Sequence, residues 1–279
     1  MTQETETAVA AHYTTGALFD RIKAAMRDAG IDPATARPAD LTAGDQFHTG
    51  GLGATEHLLA QLDITSKTRV LDVGCGIGGT SRYIADTTGA HVTGIDLTPE
   101  FIETAHALGE MVGLTSRTEY QIGSALDLPV ADDSFDLAIM MHVGMNIAEK
   151  NTLFAEVARA LRPGGTFALF EVMRGAAASD LIFPQPWSAL PEMSFVAPPD
   201  IYRDAAKAAG FLLRAETDRS DFAAAFFEDM RRKTETHGPS PFSIGLMMGD
   251  TAAEKLGNYV KNLAAGRVRP TEMIFELAE

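Results

Sequence analysis

Asp72, Gly74, Gly76, Gly79 and Asp96 are the residues of this chain whose types and spacing can do chemistry together. Gly74-Cys75-Gly76-Ile77-Gly78-Gly79 satisfies the pattern G-x-G-x-x-G, after an apolar run and before a helical one. Without Cβ atoms, such a loop lets a ligand approach the backbone closely. The pattern alone also fits a dinucleotide fingerprint, so a second feature must decide. Asp72 lies two residues before the first glycine. A carboxylate there would repel a pyrophosphate lying over the loop and would favour a cation. S-adenosylmethionine, with an ammonium, a sulfonium and no phosphate, meets that condition. Asp96 ends the next apolar run, and its two oxygens can accept both hydroxyls of a ribose. NAD enzymes use an acid there too, so Asp96 supports an adenosine ligand without separating the classes. The bland alternative is an empty turn in which Asp72 caps the following helix.

Methyl transfer from a sulfonium is an in-line displacement that needs mainly positioning and exclusion of water; orientation can supply about 7–11 kcal/mol. A base is needed only if the nucleophile arrives protonated. His142, in Met141-His142-Val143-Gly144-Met145-Asn146, is the candidate base, with an ordinary pKa near about 6.5. Its other reading is a structural residue whose backbone carbonyl meets the cofactor ammonium. Asn146 either orients a polar substrate or caps a helix starting at Ile147. Trp187, the lone tryptophan, is a wall of the substrate pocket or packs beneath a lid. Phe222, Phe226, Met247 and Met248 are assigned to the core. The seven histidines and single cysteine, Cys75, offer no metal-ligand spacing and no disulfide framework.

The elements that must position these residues alternate between strand and helix. Strands are expected at 69–73, 91–96, 119–122, 135–140, 166–172, 211–215 and 271–277. Helices are expected at 80–87, from Thr98-Pro99-Glu100 onward with Thr98 as N-cap, and at 147–161, 199–209, 221–236 and 251–265. This order implies a parallel sheet with helices on both faces. Before the sheet, Leu18, Ile22 and Met26 mark a helix over 17–29. A polar connection follows at 32–45, then a helix opening at Gly50-Gly51. Residues 1–50 are expected to form a cap or lid. Residues 51–279 form the main domain, with an irregular insertion at 174–197 and a helical lid at 221–266.

The chain has 279 residues, 46% hydrophobic, enough for one large α/β domain. Its formal net charge of -15 disfavours nucleic acid and anionic membranes as partners. Met1 to Ala11 lacks the apolar core of a signal peptide, and no apolar run reaches the length of a membrane span. A cytoplasmic monomer or homodimer acting on a small molecule is the expectation.

VLDVGCGIGG, GIDLTPEF, FDLAI and LRPGGTFALFEV resemble the motifs of class I S-adenosylmethionine-dependent methyltransferases, over about residues 50–172. The resemblance implies a Rossmann-like, seven-stranded, mostly parallel sheet whose last strand runs antiparallel. Asp45-Gln46-Phe47-His48-Thr49-Gly50-Gly51 is similar to the small-molecule branch with sarcosine/dimethylglycine, phosphoethanolamine and tocopherol- or sterol-type methyltransferases. By that resemblance His48 and Thr49 contact the cofactor's methionine carboxylate. Cys75, Leu97 and Ala125 join the cofactor contacts, and Tyr13 is a lid aromatic beside the methyl group and substrate, able to face the sulfonium. Two departures matter. Ser124 stands where the family usually has an acid for the adenine amino group. His142 stands where it often has an acid or a histidine, so the catalytic pair of the phosphoethanolamine enzymes is not reproduced. The expected function is methyl transfer to a small molecule, N-methylation of a small amine being favoured and O-, S- or C-methylation remaining open. An NAD-dependent oxidoreductase and an inactive methyltransferase-like binding protein are the alternatives.

Overall fold

The computed structural model describes residues 3–14 and 16–279. The expected cap over 1–50 therefore includes three positions, 1, 2 and 15, that lie outside the described residues. Four helices precede the sheet: α1 (Gln3–Tyr13), α2 (Leu18–Asp28), α3 (Pro38–Asp45) and α4 (Gly51–Leu59). The stripe on α2 is buried as its spacing requires, with Leu18, Ile22 and Met26 packed near Leu41, Phe101 and Phe242. The connection expected at 32–45 instead ends in α3. Pro38 occupies its first turn, and Asp40 accepts the Arg37 backbone N–H at 2.9 Å.

The alternation then runs β1 (Arg69–Val73), α5 (Gly79–Thr88), β2 (His91–Asp96), α6 (Pro99–Met111), β3 (Thr118–Ile122), β4 (Phe135–Met141), α7 (Lys150–Ala160) and β5 (Leu161–Arg174). It continues with α8 (Pro199–Ala208), β6 (Phe211–Asp218), α9 (Ser220–His237), the one-turn α10 (Gly245–Met248), α11 (Ala252–Ala264) and β7 (Val268–Leu277). The strands form one seven-stranded sheet in the order β3-β2-β1-β4-β5-β7-β6. β7 runs antiparallel to both its neighbours, and the other pairings are parallel. This is the Rossmann-like arrangement that the sequence implies.

Strand alternation divides the core in two. Leu71, Val73, Ala138, Phe167 and Phe275 pack on one face against Phe154 of α7 and Tyr202 of α8. Val70, Leu137, Ile139, Phe170 and Ile274 pack on the other against Leu58 of α4 and Ile84 of α5. The sheet is thus rigid beneath the ends of β1, β2 and β4, where the chemistry-bearing residues sit.

Several boundaries move. α7 begins at Lys150 rather than Ile147, because Gly144–Asn146 forms a separate 3-10 turn. Asn146 is therefore not a helix cap. Thr98 precedes α6 but makes no side-chain cap bond; its own N–H is held by Asp96 Oδ1 at 2.8 Å. β5 takes in Arg162-Pro163-Gly164-Gly165, with an irregular register opposite Phe135 and Leu137. Among the described residues no helix is long and apolar enough to cross a membrane.

Candidate functional site

The glycine loop is clamped between its two acids. Asp96 Oδ2 accepts the Gly76 N–H at 2.9 Å, and the Ile95 carbonyl takes the N–H groups of Gly74 and Cys75. A Cβ on Gly79 would stand 2.1 Å from the Asp45 carbonyl oxygen, so only glycine lets α3 approach this closely. That approach is fixed by a buried ion pair absent from the sequence reading, Arg82 to Asp45 at 2.9 Å, while Arg82 also donates to the Ile77 carbonyl at 2.7 Å. Asp45 was legible only as part of the motif preceding Gly50.

Asp72 is buried and accepts the Ser81 hydroxyl at 2.6 Å. Burial first, and then the charge of Asp96, push its pKa up to about 6 despite that bond. Burial raises Asp96 as well, against its backbone hydrogen bonds. Two neighbouring carboxylates held out of water and facing one cavity suit a cation.

Two cavities meet here. The larger spans about 970 Å³, counting space open to solvent, and is lined by His48, Asp72, Gly74, Cys75, Gly76, Asp96, Leu97, Ser124, Ala125, His142, Asn146 and Tyr13. It also carries Glu6 and Asp45. The smaller spans about 520 Å³, again counting space open to solvent, and Thr49 and Trp187 line it rather than the larger one. Trp187 is buried, packs edge-on against Tyr259 and donates to Ser194 Oγ at 2.9 Å. Phe226 and Met248, assigned to the core from sequence, also line the smaller cavity. Their helical spacing matches a core stripe, so spacing carries no signal for this placement. Tyr13, Phe47, His48 and His142 belong to both cavities.

His142 follows β4 with φ at 58°, a left-handed backbone that a β-carbon makes costly and that its surroundings must impose. The Phe170 carbonyl accepts both its backbone N–H, at 2.8 Å, and its Nδ1, at 3.0 Å. A carbonyl can only accept, so Nδ1 carries the proton and the neutral ring presents Nε2 as an acceptor. Thr49 Oγ1 lies 2.9 Å from that nitrogen and 2.9 Å from the Tyr259 hydroxyl. The Thr49 hydroxyl donates to the Tyr259 hydroxyl, so His142 Nε2 faces the Thr49 oxygen as an acceptor that this hydroxyl does not supply. Burial lowers the pKa of His142 to about 4, so the ring is neutral near pH 7. His48 falls to about 3, through burial and then His142, and its Nε2 meets the Gly51 carbonyl at 3.1 Å.

The loop carrying His142 is held from below. Glu171 of β5, fully buried, accepts the Val143 N–H at 2.8 Å, and burial raises its pKa to about 7. Lys150 donates to the carbonyls of Gly144 at 2.9 Å, Phe195 at 3.0 Å and Ile147. Burial lowers its pKa to about 8. One cation thus ties the loop to the 174–197 insertion.

From above, α1 closes the larger cavity. Asn146 Nδ2 donates to the Tyr13 hydroxyl at 2.9 Å, and Ser124 Oγ donates to Glu6 at 2.6 Å. His12 Nε2 donates to the Pro186 carbonyl at 3.2 Å, joining α1 to the insertion. Asn146 Oδ1 is buried, lines the cavity and lacks a hydrogen-bond partner. An acceptor left over in this way awaits a donor from a ligand. Among the described residues no cluster of three or more His, Cys, Asp or Glu side chains could hold a metal ion.

Residues 71–169 match a family model described as a methyltransferase domain. A methyltransferase of Streptomyces halstedii, GfsG, is 34% identical over 129 residues, which is 46% of each chain. The match spans less than half the length of the curated relatives it was found in. Among solved structures, phosphoethanolamine N-methyltransferase 2 of Haemonchus contortus, in complex with S-adenosyl-L-methionine, superposes with a TM-score of 0.71 at 17% identity. That match covers 95% of this chain and 61% of the other. The (4+2)-cyclase SpnF superposes with a TM-score of 0.65 at 19% identity, covering 94% and 95%. The motif, the strand order and these likenesses agree: residues 71–169 match the methyltransferase-domain family, and the chain has the fold of class I methyltransferases.

Proposed function

We propose that the chain binds S-adenosylmethionine in the larger cavity and transfers its methyl group to a small molecule in the smaller one. The observation that carries this reading is the pairing of two unlike cavities at a common wall of Tyr13, Phe47, His48 and His142. The larger cavity is lined by Asp72 and Asp96, which match a cationic adenosine ligand. The smaller is largely apolar and excludes water from the acceptor. In this reading Asp96 holds the ribose, the loop from Gly74 to Gly76 lies against the methionine part, and Asp72 answers its positive charge. Leu97, Ser124 and Ala125 flank the adenine, with Glu6 supplied from α1. Tyr13 closes over the methyl group, and the unpaired Oδ1 of Asn146 takes a donor from ligand or acceptor. Thr49 moves from the cofactor side, where the sequence resemblance placed it, to the acceptor side.

The acceptor atom follows the smaller cavity. A small charged amine would call for a carboxylate there, and none lines it. The reading accordingly moves from N-methylation of an amine towards a neutral acceptor. Because the cyclase SpnF shares the fold across nearly the whole chain, the test must separate binding from turnover. Asp96→Ala should weaken S-adenosylhomocysteine binding at least tenfold by calorimetry, since a hydrogen bond to a charged group contributes about 1.5–3 kcal/mol. Unchanged affinity would reject the assignment. Cofactor bound yet never consumed with any acceptor would favour a binding or cyclising role on the same fold.

A further inference from the structure

The geometry points to an uncharged, largely apolar acceptor that presents one hydroxyl to Thr49 and His142 and is methylated on that oxygen. This inference rests on the proposed methyl transfer and names the substrate class of the same site.

Three observations carry it. Charge is divided sharply between the two cavities. Glu6, Asp45, Asp72 and Asp96 line the larger, whereas no Asp, Glu, Lys or Arg lines the smaller. An ionised acceptor would lose its hydration in the smaller cavity with no opposite charge to replace it, so ionised amines and phosphate esters are disfavoured. The walls are also of one kind, with Met145, Val172, Trp187, Phe227, Met248 and Leu256 around the space. Burial of apolar surface against them is the driving force available to a ligand.

Three polar groups of the smaller cavity, finally, stand together beginning at its shared wall with His142. Tyr259, Thr49 and His142 form one hydrogen-bonded row there, with separations of 2.9 Å and 2.9 Å. The row has a direction because the Phe170 carbonyl fixes the proton of His142 on Nδ1. Thr49 Oγ1 spends its proton on Tyr259, so His142 Nε2 is left as an acceptor, and a hydroxyl of the methyl acceptor can donate to it beside the Thr49 oxygen. A bare hydrocarbon would leave His142 Nε2 without a donor.

The chemical step balances on this row. The acceptor oxygen attacks the cofactor methyl carbon, the new O–C bond forms, and the old C–S bond breaks with its electron pair passing to sulfur. The hydroxyl proton moves to His142 Nε2. The products are a methyl ether, S-adenosylhomocysteine and a protonated imidazole that later releases its proton to solvent. A neutral imidazole is a sufficient base, because the oxygen becomes strongly acidic as the O–C bond forms.

The test uses the full chain loaded with S-adenosylhomocysteine, whose own binding is measured in parallel. The neutral fluorophore N-phenyl-1-naphthylamine should bind, and 4-phenylphenol should displace it at least tenfold more tightly than biphenyl. Sarcosine and phosphoethanolamine should not displace it. In Thr49→Val the preference for the phenol over biphenyl should vanish while S-adenosylhomocysteine affinity changes less than twofold. Leu256→Asp, at a half-buried wall position, should weaken fluorophore binding at least tenfold. With methyl-labelled S-adenosylmethionine, label should enter 4-phenylphenol about 100-fold more slowly in His142→Asn than in the unaltered chain. Failure of the fluorophore to bind, equal displacement by phenol and biphenyl, or label entering sarcosine or phosphoethanolamine but not the phenol would overturn the acceptor class. Label entering none of them would overturn oxygen methylation. Loss of S-adenosylhomocysteine binding in the unaltered chain would instead reject the parent reading.

Discussion

Asp72 illustrates how a residue can be costly to the free protein and useful to the bound one. Its pKa in the folded chain, about 6, exceeds the ordinary aspartate value. The folded state therefore holds this proton more tightly than the unfolded chain does. The penalty is absent below the ordinary value, grows as pH rises towards 6, and is complete above it. Asp72→Asn should accordingly raise the melting temperature of the cofactor-free protein more at pH 8 than at pH 4.5. About 2–4 °C accompanies each kcal/mol recovered in a chain of this size. The same variant should bind S-adenosylmethionine at least tenfold more weakly. Binding of the cation should also release a proton near pH 6, so affinity should fall as the solution is acidified through that value. Calorimetry in buffers of different ionisation enthalpy checks both, and binding with no proton release would separate Asp72 from the ligand. Asp72 and Asp96 were legible in the sequence because their types and their spacing from the glycines are short-range facts. The Arg82–Asp45 pair and the Tyr259–Thr49–His142 row were not, because their partners lie up to 210 residues apart.

The elements that hold these residues were readable to different degrees for physical reasons. β1 and β2 are short apolar runs ended by a glycine loop and an acid, so their bounds follow from sequence alone. α3 was not foreseen, since its segment Pro38–Asp45 has almost no apolar face to reveal a period. α7 starts late because Gly144–Asn146 are spent on the turn that aims Asn146 at Tyr13. Lys150, which secures that turn, belongs to no motif or apolar period that could mark it in the sequence. Replacing it by methionine should take the ammonium donor from the carbonyls of Gly144, Ile147 and Phe195, at about 1–3 kcal/mol for each buried one that finds no substitute. We expect Lys150→Met to lower the melting temperature by several degrees and to speed amide exchange in residues 143–147 and 194–196. Exchange unchanged in both segments would show that the lysine does not tie them. Tyr13→Phe acts on α1 instead. It removes the partner of Asn146 Nδ2, so amides of α1 should exchange faster while those of β1 and β4 stay protected.

At the scale of the whole molecule, α1 belongs to both halves of the site. It meets Ser124 and Asn146 over the larger cavity and Pro186 over the smaller. A ligand filling the larger cavity should hold α1 down. S-adenosylhomocysteine at one hundred times its dissociation constant should therefore stabilise the chain by about 2.7 kcal/mol. NAD at the same concentration should leave the melting temperature where it was. The order of events follows from the same helix. With α1 seated, the cofactor is sealed in and Tyr13 completes the wall against which an acceptor must lie; an acceptor arriving first would meet a wall not yet built. Turnover should then be strictly sequential, cofactor first and S-adenosylhomocysteine last. Added S-adenosylhomocysteine would compete with S-adenosylmethionine while acting as a mixed inhibitor toward the acceptor. If lifting α1 to free that last product is slow, deuterium in the transferred methyl group will leave kcat almost untouched, because the clock of the cycle is set by a departing helix and not by a breaking bond.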